Sequence, residues 1–124
     1  MTRLFLAIVG LIFLAYGIAC ALDPTLPARL AGLGLLNGDG LAEMAAMYGG
    51  LQSGVGLFLL LAAFRESLRE PALILLLLGI GLLAAMRAIG ILTATDVVTS
   101  YSWGALAFET LVTAIAAALL TAKR

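Results

Sequence analysis

Leu73-Ile-Leu-Leu-Leu-Leu-Gly-Ile-Gly-Leu-Leu-Ala-Ala-Met86 contains no charged residue and no alternation of polar and apolar positions. A strand of a membrane barrel alternates over about 10 residues, so the run reads as helix. Extended to its flanks it covers residues 72–92. That length is close to the roughly 20 residues a helix needs to cross about 30 Å of hydrocarbon. Arg87 interrupts it near its end.

Three further stretches of the same kind lie around it, at residues 4–22, 44–64 and 103–122. The chain has 124 residues, of which 64% are hydrophobic and 11% charged. Soluble domains carry about 25% charge, and so short a chain has too small an interior for this much apolar surface. The expected fold is all-α: a single membrane domain, residues 1–124, forming an integral membrane four-helix bundle. Net charge is zero and there is no basic run, which excludes a nucleic-acid partner. With no His and one Cys, the chain holds no His/Cys metal site and no internal disulfide. No cofactor is expected.

Arg3 precedes the first span, Arg65 and Arg69 lie between the second and third, and Lys123 and Arg124 follow the fourth. An even number of spans places all of these on one side, which the positive-inside rule makes cytoplasmic, together with both termini. Arg29 alone falls in a loop on the other side. That loop, residues 23–41, is long for a helix connection. Pro24 and Pro27 break the first helix, and Asp23 or Thr25 is placed to cap a short new one. Leu26, Leu30, Leu33 and Leu36 recur at helical spacing, so a short helix lying in the membrane interface is expected there. The turn Asn37-Gly38-Asp39-Gly40 follows. The first span reads as a true span, since Gly17 stands where a lipoprotein cleavage site before Cys20 needs an apolar residue.

The polar groups inside the spans fall on one side of the membrane. Projected onto one axis, Arg87 lies about one turn below the outer surface and Glu109 about two turns below it. Glu43 sits at the outer mouth of the second span, with Tyr48 and then Gln52 deeper. A charge in hydrocarbon costs at least about 2.5–3.5 kcal/mol, so Arg87 and Glu109 are expected to meet as an ion pair. Glu43, Tyr48, Gln52, Arg87 and Glu109 are the candidate ligand-binding residues. Gly49, Gly50, Ser53, Gly54 and Gly56, with the Gly50-x-x-x-Gly54 pattern, are expected to pack helices.

Ala42-Glu-Met-Ala-Ala-Met-Tyr-Gly-Gly50, Met86-Arg-Ala-Ile-Gly90 and Glu109 together resemble the four-helix bacterial membrane proteins grouped as domain of unknown function 4345. In that family an arginine commonly follows two residues after the glutamate, where this chain has Ala45. The resemblance implies a multi-pass protein of the bacterial inner membrane and no activity. A more distant likeness to the DoxX-like proteins is one of fold only.

The function expected from these residues is binding. The outer half of the bundle would hold a lipid or small amphipathic molecule, or the chain would serve as an accessory subunit. Its partners would be the lipid bilayer, that ligand, and a further copy or a larger membrane complex. Three alternatives stand beside it: a purely structural or assembly role as a homo-oligomer, a proton-coupled transporter or channel subunit, and a membrane enzyme using a buried glutamate as acid and base. The inner half lacks polar groups to continue a transport path, and an enzyme would have neither His nor metal to work with. Both rank below binding.

Overall fold

The computed structural model describes residues 1–122; Lys123 and Arg124, used above for orientation, lie outside them. The described chain is all-α, with five helices: α1 (Thr2–Leu22), α2 (Leu26–Ala31), α3 (Gly38–Phe64), α4 (Glu66–Thr93) and α5 (Ser100–Thr121). All but α2 are long and apolar enough to cross a membrane. Large apolar side chains point outward along each of these four, such as Leu11, Leu57, Leu82 and Leu111, each more than half exposed. Lipid is the solvent such a surface requires. The chain divides into two compact units, Met1–Arg69 and a second from Glu70 onward.

In the first unit α1 packs against α3. Their antiparallel seam is made of the smallest residues. A Cβ on Gly10 would stand 3.0 Å from the Gly56 carbonyl oxygen, and one on Gly56 would stand 2.5 Å from the Leu14 nitrogen. Gly17 backs onto Ser53, and Gly49 lies against Ala21, where a Cβ would meet the Ala21 Cα at 3.0 Å. Lipid tails are as apolar as leucine, so association here comes from close van der Waals contact, which bulkier residues would prevent. Leu6, Val9, Phe13 and Cys20 of α1 and Leu59, Ala62 and Ala63 of α3 are buried as well. Cys20 is thus a small packing residue.

The α1–α3 connection differs from its sequence-based expectation in two ways. The short helix ends at Ala31, because Gly32 turns left-handed (φ 69°) and the Gly32 and Leu33 amides both donate to the Ala28 carbonyl. Leu33 and Leu36 therefore lie beyond it. Asn37-Gly38-Asp39-Gly40 is the start of α3 rather than a separate turn: the Asn37 side chain caps the helix by accepting from the Gly40 amide at 3.2 Å. The second span thus begins six residues earlier than residue 44.

Asp23 ties the head of α2 together. Its carboxylate accepts from the Thr25 hydroxyl at 2.6 Å, the Thr25 amide at 3.1 Å and the Arg29 guanidinium at 2.8 Å. Arg29 also donates to the Thr25 hydroxyl. The hydrogen bonds from Thr25, then from Arg29, hold the Asp23 pKa down at about 2.

In the second unit α4 and α5 pack against each other. Leu76, Ile80 and Ala84 form a buried stripe on α4 that leads to Arg87; Glu109, Val112 and Ala116 form the one on α5. Gly81 sits against the Thr113 methyl, where a Cβ would approach to 3.1 Å. Two helices contain a π-helical stretch, Ala45–Leu51 in α3 and Leu76–Ile80 in α4. Such stretches shift the side chains that follow relative to an unbroken α-helix.

Candidate functional site: the Arg87–Glu109 pair

The pair occurs where the antiparallel run of α4 and α5 brings opposite charges level. Arg87 lies about 1.7 turns before the end of α4 and Glu109 about 2.5 turns after the start of α5. Both helices extend further toward the connection than the bare hydropathy pattern implies, so both groups sit deeper below the helix ends. The Arg87 Nε donates to both Glu109 oxygens, at 3.1 and 2.9 Å, and Nη2 donates to Oε1 at 2.7 Å. Glu109 is buried, its side chain 7% exposed, whereas that of Arg87 is 24% exposed. Charge-assisted bonds of this forked kind are stronger than neutral ones and fix orientation as well as distance.

Thr113, one turn along α5, does not join the carboxylate. Its hydroxyl donates to the Glu109 backbone carbonyl at 2.8 Å. On the side of Arg87 toward the helix connection lies an open cleft of about 230 Å³, lined by Arg87, Gly90, Ile91, Val98 and Ser102. It places a guanidinium and a hydroxyl at the margin of an otherwise apolar hollow. The described residues contain no group of three or more His, Cys, Asp or Glu suited to a metal ion.

The family model described as domain of unknown function 4345 (DUF4345) matches residues 1–120. The chain belongs to that family. No curated protein and no solved structure matches it.

The remaining candidate residues of this DUF4345 chain lie in the first unit. Glu43 is exposed near the start of α3, and Tyr48 and Gln52 are half-buried at the π-helical stretch and just after it. Of the proposed packing residues, Gly49 and Ser53 lie in the α1–α3 seam. Gly50 and Gly54 do not: a Cβ on Gly54 meets nothing within 4 Å, and one on Gly50 only a backbone oxygen of its own helix at 3.9 Å. The seam instead uses Gly56, which the sequence placed with them, and Gly10, which sequence reasoning missed. The signal was present, since Gly10 and Gly17, like Gly49 and Gly56, are seven residues apart, two turns on one helix face. As cleft-lining residues Gly90, Ile91, Val98 and Ser102 were also missed; Gly90 ends the family stretch that begins at Met86, and no sequence motif marks the other three.

Proposed function

We propose that this chain is a multi-pass protein of the bacterial inner membrane that binds a lipid or small amphipathic molecule beside Arg87 and Glu109. The spans are helical, as in inner-membrane proteins, whereas outer-membrane proteins are barrels. Both termini face the cytoplasm in this reading, and α2 lies in the outer interface. The observation that carries the proposal is the forked ion pair at the wall of the Arg87–Ser102 cleft. An ionisable pair kept inside a span is costly, and such residues commonly mark a pathway or a ligand.

The size of the cleft favours an amphipath. Pockets that swallow a whole small molecule run to about 300–1,000 Å³. A hollow of about 230 Å³ takes a polar head and leaves an apolar tail to lie along the helices in lipid. Binding also suits Glu109 better than proton carriage does, because both its oxygens already accept from Arg87.

Native mass spectrometry of protein released from a mild detergent tests this. Wild type is expected to carry a bound small molecule or lipid that Gly90→Leu loses. A leucine there would fill the cleft without striking the fold, since a Cβ on Gly90 meets nothing within 4 Å. Wild type that flies free of any adduct, or an adduct untouched by Gly90→Leu, would sink the proposal.

A further inference from the structure

We propose that the end of the first unit carrying Arg3, Arg65 and Arg69 is a binding site for the phosphate head of an anionic phospholipid. The inference rests on the chain spanning a membrane, and it is independent of any ligand at Arg87.

Three observations converge there. The Arg3 guanidinium lies over the Phe64 ring, 5.2 Å from its centre, which joins the start of α1 to the end of α3. Arg65 follows Phe64 directly and is exposed, as is Arg3. A single turn, Glu66–Leu68, closed by the Leu68 amide on the Arg65 carbonyl at 3.1 Å, then brings in Arg69. Three guanidinium groups thus gather at one helix end.

Arg69 carries the argument furthest. Its Nε is buried, with no hydrogen-bond partner among the described residues, so a phosphate meets this guanidinium through its terminal Nη atoms. Glu66 leaves them open: that carboxylate meets only Nη1, at 3.4 Å, and is 86% exposed and screened by water. The Arg69 side chain keeps 23% of its surface open, which gives an approach to the guanidinium. A phosphate oxyanion fits the arginine fork with parallel bonds. At a helix end beside the bilayer surface, the phosphate at hand is that of a lipid head. Each basic residue near such a surface strengthens anionic-lipid binding by about fivefold.

Purified full-length protein, mixed with equal amounts of phosphatidylglycerol and phosphatidylcholine of matched acyl chains, should retain the former at least about fivefold better in native mass spectra. Arg69→Gln should reduce that preference by about fivefold, and Arg3→Gln should lower it if Arg69→Gln fails to fold by circular dichroism. Arg69→Gln should lower it by the same factor in a Gly90→Leu background, which separates this site from the Arg87 cleft. Arg29→Gln should leave it unchanged, since Arg29 is engaged with Asp23. Equal retention of the two lipids, or the same loss in Arg29→Gln, overturns the proposal. So does displacement of phosphatidylglycerol by millimolar inorganic phosphate, which would make this a site for free anions.

Discussion

At the scale of single residues, the ion pair shows what could be foreseen and what could not. Arg87 and Glu109 were legible as partners because a lone charge in hydrocarbon has few alternatives to finding its opposite. The cleft beside them was not, because Val98 and Ser102 reach it only by virtue of where α5 starts, and its first turn is polar enough to read as loop. The pair also makes a stability prediction with a sign. Arg87→Met or Glu109→Leu alone strands a charge in a dry site and should cost about 3–5 kcal/mol. The double variant removes both charges and should recover to wild-type stability or exceed it, because well-packed apolar residues commonly match or improve on a buried pair. Unfolding midpoints in detergent for the four proteins of this cycle provide the measurement. A double variant as weak as the sum of the two singles would mean that the surroundings, and not the partner, hold each charge.

At the scale of elements, two neighbouring faces of α3 make opposite predictions from the same residue type. Gly56 faces α1, and a methyl group there must push on the Leu14 and Gly10 backbones, which have no flexible end to yield. Gly56→Ala should therefore destabilise by about 1–3 kcal/mol, the usual cost of overpacking. Gly54 points away from the seam into open space. Gly54→Ala gains helix propensity at no steric cost and should stabilise by up to about 1 kcal/mol. Thermal unfolding of the two variants decides between the faces, and the reverse order would mean that α3 turns its Gly50–Gly54 side to a partner. The four-residue spacing of Gly50 and Gly54 drew attention because it is the commonest small-residue pattern in membrane helices. The seven-residue spacing of Gly49 and Gly56 carried the contact because an identical spacing in α1, Gly10 to Gly17, meets it. Matching patterns on two helices are thus a stronger signal than a motif on one. The π-helical stretches had no such signal, since no residue type marks them in the sequence.

At the scale of the whole chain, the quantity to predict is orientation, and it follows from where the arginines are engaged. Arg3 and Phe64 are in contact, as the antiparallel course of α1 and α3 requires, so the basic residues at those two helix ends share one side. Arg29 lies in the connection at the opposite end of the same helices, paired with Asp23. The excess of arginine at the Arg3–Arg69 end argues that this end stays in the cytoplasm during insertion. Cysteine labelling in intact cells reads this out, and buried Cys20 should contribute little background. A cysteine in place of Asp39 should react with a membrane-impermeant maleimide from outside. A cysteine in place of Ser67, exposed in the first turn of α4, should react only after permeabilisation. The reverse pattern would turn the protein over. Arg87 and Glu109 would then lie nearer the cytoplasmic surface, and the ligand proposed for the cleft beside them would come from the inner leaflet instead of the outer.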